Sequence, residues 1–188
     1  MKTVWIVLGI IALVVIILAG WLIGGLNHVV RLDESVNSSW AQVENQLQRR
    51  NDLIPNLVNT VKGYAAHEKG LFTEITKLRS QWAKAETREQ KIETANQMTG
   101  ALSRLLLVVE NYPDLKANQN FLALQSQLEG TENRIAVERM RYNNSVRTFN
   151  TYRRTVFGSF FASLRGLNQP REYFEAVETA KEVPVVKF

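Results

Sequence analysis

The chain has 188 residues, with 23 basic against 18 acidic side chains for a net charge of +5, and no cysteine. The missing thiols exclude disulfides, thiolate catalysis, cysteine zinc sites and a lipid-modified cysteine, and they suit either side of a membrane. The mild charge balance fits solubility and weak attraction to anionic surfaces rather than nucleic-acid reading, and ten glycines with four prolines are few for a β-rich or disordered chain.

Residues 1–3 form a short N-terminal end. Residues 4–26 read VWIVLGIIALVVIILAGWLIGGL, with no charged or strongly polar side chain. A helix of that length spans about 34 Å, enough for a bilayer core of about 30 Å. Trp5 and Trp21 stand near its two ends, where indole rings suit the interface. A cleaved signal peptide would have a shorter apolar region and a small-x-small site, and Gly24-Gly25 is a poor one, so the reading is a retained single-pass anchor. Lys2 charges the short end, whereas Arg31, Asp33 and Glu34 nearly cancel beyond the span. The positive-inside rule then leans towards an extracytoplasmic domain.

From Val36 to Ala85 the seam residues recur at alternating steps of four and three, and thirteen of those fifteen positions are apolar or aromatic. This is the period of helices packed at shallow angles, not of a strand. Pro55 predicts a kink or restart near Asn51-Asp52. The seam keeps its phase across Gly70, so the first long helix is read as continuing through it. A second helix starts at Thr87, which has capping-box spacing with Gln90. Its stripe is Ile92, Ala95, Met98, Leu102, Leu105 or Leu106, Val109 and Tyr112, and Pro113 ends it with Asp114 in the turn.

A third helix runs from about Asn118 to about Val156, with Phe121, Leu124, Leu128, Ile135, Tyr142, Phe149 and Val156 on its stripe and Gly158 as a possible stop. A shorter fourth carries Phe157, Phe160, Phe161, Leu164 and Leu167, and Gly166 or Pro170 interrupts it. Residues 171–188 form a C-terminal segment: residues 171–182 have room for an amphipathic turn or two, and Pro184 biases the tail to extended backbone. Short connections make neighbours antiparallel. The fold class is therefore all-α: an N-terminal transmembrane helix, then over residues 27–170 an elongated up-and-down antiparallel bundle of about four helices. One length does not fit. A third helix of about 39 residues overshoots a second of about 25 by about 20 Å, so it breaks or packs on the fourth helix or another subunit.

Three stretches, WAQVENQLQRRNDLIPNLVNTVKGYAAHEK at 40–69, LEGTENRIAVERMRYNNSVRTFN at 128–150 and YFEAVETAKEVPVVKF at 173–188, resemble the LemA family of bacterial membrane proteins. With the anchor they cover nearly the whole chain. The resemblance implies an all-α bundle behind one transmembrane helix and brings no established activity. It implies a bacterial cytoplasmic (inner) membrane with the domain in the cytoplasm, against the lean of the charges. Gly70 and Val185 depart from the family, where both positions are more often charged.

Several residues are candidate sites. Arg50 and Glu68 fall on the seam, either as a buried polar pair or network that fixes helix register or partner choice, or as side chains that swing out to solvent. Arg134, Arg139, Arg141, Arg147, Arg153 and Arg154 face only Glu132 and Glu138, forming a basic strip for anionic lipid or, on the ordinary reading, a solvated face or subunit contact. With helices one, two and three leaving, returning and leaving again, Arg147, Arg153 and Arg154 would stand far from the anchor's bilayer. Phe160, Phe161 and Leu164 suit core packing, or a membrane-interface or partner face. The tail Val183–Phe188 suits strand addition to a partner's sheet, or a docked or disordered end. His28 and His67 lack the Glu-x-x-His spacing of a di-iron bundle, no nucleophile elbow stands near either, and no catalytic, cofactor or metal residue is expected.

These residues predict a non-enzymatic, membrane-anchored interaction or scaffold protein, held in the bilayer through residues 4–26, self-associating, with further protein partners but no nucleic acid and no small-molecule substrate. The alternatives are a membrane-remodelling or anionic-lipid-binding protein, and a regulator or client of a membrane protease.

Overall fold

The computed structural model describes residues 2–65 and 67–175. Among these there are six α-helices and no strand: α1 (Lys2–Lys62), α2 (Lys69–Lys84), α3 (Arg88–Val109), α4 (Pro113–Lys116), α5 (Gln119–Arg153) and α6 (Val156–Leu164). The fold is an all-α helical bundle preceded by a long apolar helical stretch. The expectations for residues 176–188, including the extended tail, lie outside the described residues.

The apolar run and the first bundle helix are one helix. Residues 2–24 are exposed at every position. The core helix of a soluble protein would bury such a stretch; here the run is long and apolar enough to cross a membrane, and among the described residues nothing covers most of it. The chain divides into two compact units, one of residues up to Trp40 with Arg141–Tyr173, the other of Ala41–Met140 with Phe174 and Glu175.

The second unit is a four-helix bundle. The C-terminal part of α1 runs antiparallel to α2, where Asn51 meets Arg79. It runs parallel to α3, where Glu44 pairs with Lys91, and antiparallel to α5, where Arg50 meets Glu132 and Tyr64 meets Asn118. The core is aliphatic and aromatic, and Ile54, Leu57, Ile75, Met98, Leu105 and Phe121 are each almost wholly buried. Deleting one such side chain to alanine costs about 2–5 kcal/mol.

Three expectations about this unit are corrected. The helix does not restart at Asn51-Asp52; α1 runs on through Pro55. A proline cannot bond the carbonyl four residues back, which is that of Asn51. Arg79 of α2 donates Nε to that carbonyl at 3.2 Å, so the orphaned acceptor is satisfied from outside the helix. Nor does the helix continue to Gly70. It ends at Lys62, and α2 starts afresh at Lys69, with turns at residues 63–64 and at residue 67 between them. Gly63 weakens the last turn, and the Tyr64 and Ala65 amides both close onto the Val61 carbonyl. Tyr64 then points to solvent, its hydroxyl accepting from Asn118 Nδ2 at 3.0 Å. Phe72, not Leu71, enters the core of α2, so the unbroken phase across the turn is a coincidence of spacing. Finally, α3 ends at Val109, and Pro113 opens the short α4 rather than closing α3, its fixed φ suiting a first helical position.

The capping box is present as read. The Gln90 amide donates to Thr87 Oγ1 at 3.2 Å, and the Thr87 amide donates to Gln90 Oε1 at 3.4 Å. α5 begins one residue after Asn118, and its stripe is buried at Phe121, Leu128, Ile135, Tyr142 and Phe149.

In the first unit, residues 28–40 of α1 pair with residues 142–152 of α5, antiparallel. Trp40 meets Tyr142 edge-on with ring centroids 5.4 Å apart, and His28 meets Tyr152 at 4.6 Å. Between them Ser39 and Ser145 share a hydroxyl bond of 2.9 Å, small residues that let the helices approach closely. The length mismatch is thus answered inside the chain: the far part of α5 lies along the start of the same helix that carries the apolar run.

Candidate functional site

Two places gather the residues singled out by sequence. The first is in the second unit. Arg50 is only 1% exposed although it carries a full charge. Its Nη1 donates to Thr99 Oγ1 at 3.0 Å and to Glu132 Oε1 at 3.2 Å, and its Nη2 donates to the Ala95 carbonyl at 3.0 Å. One side chain of α1 therefore ties α3 and α5 together, and only Nε is left without a partner. Burial draws the guanidinium below the usual arginine range, while the charge of Glu132 and its hydrogen bond oppose that shift. Arg139 is also lowered, first by burial and then by the nearby positive charge of Arg50. The buried-network reading fits Arg50, but its partner is Glu132 and not Glu68. Glu68 lies in the α1–α2 turn, half-buried, its carbonyl accepting from the Phe72 amide. A signal for Glu132 existed: the α5 stripe steps from Leu128 directly to Ile135, and the seam position between them falls on Thr131 and Glu132.

The second place is the end of the first unit where α6 meets the apolar run. Thr155 caps α6, its hydroxyl accepting from the Gly158 amide at 3.1 Å and donating to the Tyr152 carbonyl at 2.8 Å. Gly158 is no stop. It lies inside α6, buried against the end of α5, where a Cβ would fall on the Tyr152 carbonyl. The true stop is Gly166, at φ +68, whose amide bonds Ser163 while the Leu167 amide bonds Ala162. This is a Schellman closure.

α6 turns Gly158, Phe161 and Ala162 inward. The ring of Phe161 lies on Gly25 so closely that a Cβ there would overlap it. Trp21 touches three rings: Phe157 edge-on at 5.4 Å, Phe161 at 4.9 Å and Phe160 stacked at 6.5 Å. Of the aromatic pair, Phe161 is core and Phe160 is half-exposed. After α6 the chain runs back along α5. Asn150 and Arg171 exchange reciprocal side-chain-to-backbone bonds of 2.8 and 2.9 Å, and Tyr142 Oη donates to the Glu172 carbonyl at 2.8 Å. The Arg171 guanidinium donates twice to Asp33 Oδ1, at 2.6 and 3.0 Å. Residues 171–175 are therefore not the start of an amphipathic turn: their backbone groups bond to neighbouring side chains. Neither Asp33 nor Arg171 was marked by any local pattern, because their partnership spans most of the sequence.

The arginine strip is also corrected. Arg153 and Arg154 immediately precede α6, and Arg147 stands two turns earlier on the part of α5 that lies beside residues 28–40. They are near the apolar run and not remote from it. The α1–α2 break adds one reversal of direction, so α5 returns where the uninterrupted helix would have had it leave. Arg153 is half-buried and donates to the Asn168 carbonyl at 2.9 Å; Arg147 and Arg154 are exposed.

Elsewhere, Lys62, Lys69, Lys77 and Lys84 border an open groove of about 960 Å³ around Phe72, with no carboxylate or histidine among its walls. His28 packs on Tyr152 and His67 is exposed, and among the described residues no three histidine or carboxylate side chains gather as a metal set.

Comparison with known proteins matches this architecture to one family. A family model described as the LemA family matches residues 39–188. The magnetosome protein MamQ 2 of Paramagnetospirillum magneticum is 25% identical over 186 aligned residues, spanning 85% of this chain and 68% of that protein. Protein LemA of Metamycoplasma hominis is 22% identical over 130 residues, spanning 69% of this chain and 59% of that protein. The magnetosome protein MamQ of Magnetospirillum gryphiswaldense is 24% identical over 186 residues.

Proposed function

The chain belongs to the LemA family, and on that premise we propose that it is a non-enzymatic scaffold anchored in the bacterial cytoplasmic membrane by residues 4–26 and self-associating within it. The observation that carries the anchor is the exposure of every side chain from residue 2 to 24 on a helix without a charge between Lys2 and Arg31. In water that surface is far beyond what a monomer exposes; in a bilayer it is matched to its solvent.

Self-association draws its support from the anchor. Gly20 and Gly24 are four apart in the apolar run, and the space over both is open, whereas Gly25 is covered by Phe161. A small-xxx-small face lets two helices approach closely in lipid. The bundle seam, by contrast, is used within the chain, as is the surplus length of α5. A non-enzymatic role is supported by the use of the charged seam residue: Arg50 is engaged in cross-linking helices rather than aimed into a cavity.

The test uses the full chain. It should pellet with membranes through alkaline extraction and sediment in mild detergent as a dimer or larger. A Gly20→Leu/Gly24→Leu variant should shift to monomer with its helix content intact. A soluble product trimmed near residue 25 overturns the anchor; a compact monomer at every concentration overturns self-association.

A further inference from the structure

We propose that α6 is a second membrane contact: it lies in the bilayer interface beside the end of the span, its Val156, Phe157, Phe160 and Leu164 face buried in lipid and the arginines at its two ends set against lipid phosphates. The proposal rests on the reading of residues 4–26 as the span and adds a lipid-embedded element from the other end of the chain.

The first support is depth. Trp21, which α6 packs against, stands five residues before the end of the apolar run, or about 8 Å below it along the helix. Amphipathic interfacial helices sink about 5–10 Å past the headgroup boundary. An element held against Trp21 and Gly25 is therefore held inside the membrane's edge whenever α1 spans it.

The second support is composition. α6 reads VFGSFFASL and has no charged side chain. Its inward face is filled by Gly158, Phe161 and Ala162, yet Val156, Phe157, Phe160 and Leu164 remain between 49% and 83% exposed. Only Ser159 and Ser163, four residues apart, give α6 a polar side, and the exposed apolar face beside them needs an apolar neighbour. What lies next to the outward face follows from continuity: Trp21, exposed on the span itself, meets the rings of Phe157 and Phe160. Lipid that wets the span at that level wets α6 also.

The third support is charge. Arg154 flanks the start of α6 and Arg165 its end, both exposed and placed to snorkel from an apolar slab to its phosphates. Across the chain, the first unit carries eight basic and three acidic side chains, while the remainder carries fifteen of each. The whole net charge of +5 thus belongs to the unit that contains the span, which favours an anionic lipid surface over a neutral one.

The chain has no cysteine, so single cysteines report without background. Full-length protein bearing Val156→Cys or Leu164→Cys, labelled with an environment-sensitive fluorophore, is reconstituted in vesicles containing lipids with nitroxide quenchers at shallow or deep positions. Val15→Cys serves as the span control and Gln97→Cys as the aqueous control. Labels at 156 and 164 should be quenched several-fold more by shallow than by deep nitroxides, label 15 the reverse, and label 97 by neither. Quenching at 15 with none at 156 and 164 overturns the inference and leaves the anchor standing. No quenching at 15 overturns the anchor itself. Labels at 156 and 164 that stay unquenched yet become shielded as protein density rises assign the face to a second copy and overturn the proposal. Arg154→Gln/Arg165→Gln should reduce quenching at 164 in vesicles containing phosphatidylglycerol and leave it unchanged in phosphatidylcholine alone. Equal quenching in both lipids overturns the part given to the arginines.

Discussion

Pro55 sits in the middle of a long helix without breaking it, and the structure says what that tolerance depends on. The Asn51 carbonyl has lost its intrahelical donor, Asn51 is 4% exposed, and Arg79 Nε supplies the replacement at 3.2 Å. Arg79→Met keeps most of the aliphatic stem and removes the donor. A buried acceptor left unpaired costs about 1–3 kcal/mol, which for a domain of this size lowers the melting temperature by roughly 2–4 °C per kcal/mol. Pro55→Ala returns an amide to position 55 and lets the helix bond Asn51 itself. In that background Arg79→Met should cost no more than about 0.5 kcal/mol, the ordinary range for an exposed site. The cycle of wild type, two single variants and the double variant then gives a coupling of at least about 1 kcal/mol. Urea or thermal unfolding of the full chain in mild detergent, followed by circular dichroism, measures it. Equal costs of Arg79→Met in both backgrounds would refute the account, because Arg79 would then be acting on something other than the carbonyl that proline orphans.

Three further outcomes follow from particular contacts. Glu132→Ala should cost about 3–5 kcal/mol because it strands the fully buried Arg50 beside Arg139, whereas Arg50→Met should cost less, since the Glu132 side chain it leaves is 33% exposed and can hydrate; the reverse order in chemical denaturation would contradict the network. Gly158→Ala places a Cβ on the Tyr152 carbonyl and should destabilise the α5–α6 corner by about 1–3 kcal/mol, read as faster amide exchange across residues 152–164 with protection in α3 unchanged. Thr87→Ala removes the hydroxyl half of the capping box and should cost about 1 kcal/mol, while Thr87→Ser should restore nearly all of it.

The sequence was most legible where the signal is local or periodic. The capping box needs two residues three apart, and it is present as read. The stripes of α3 and α5 repeat over many turns and match the buried residues at Met98, Leu105, Phe121, Leu128 and Tyr142. Legibility failed where a partner far along the chain decides. Pro55 reads as a break until Arg79 is known to face Asn51. Gly158 reads as a stop until the Tyr152 carbonyl is found against it. The end of α1 was hidden for a different reason: apolar spacing persists through Tyr64 although that side chain serves a turn, so the seam alone could not distinguish a continuing helix from a hairpin whose second arm resumes nearly in phase.

The break after Lys62 matters beyond its length, because one more reversal of direction decides whether the end of α5 runs away from the apolar run or back towards it. With an uninterrupted first helix, the arginines after Phe149 are carried away from the anchor and a lipid role is set aside on geometry. With the break between α1 and α2, the end of α5 runs back along residues 28–40, α6 reaches Trp21, and the same arginines arrive beside the apolar run. Nothing in the composition of that segment differs between the two readings; its distance from the apolar run does. On the proposed lipid contact, the basic first unit is the one that meets lipid, whereas the second unit is neutral overall and its helices are tied together by Arg50. A scaffold so divided should lose membrane affinity through arginine substitutions in the first unit without losing the fold of the second. Matching substitutions at Arg49, Arg88 or Arg134, all in the second unit, should leave membrane affinity untouched.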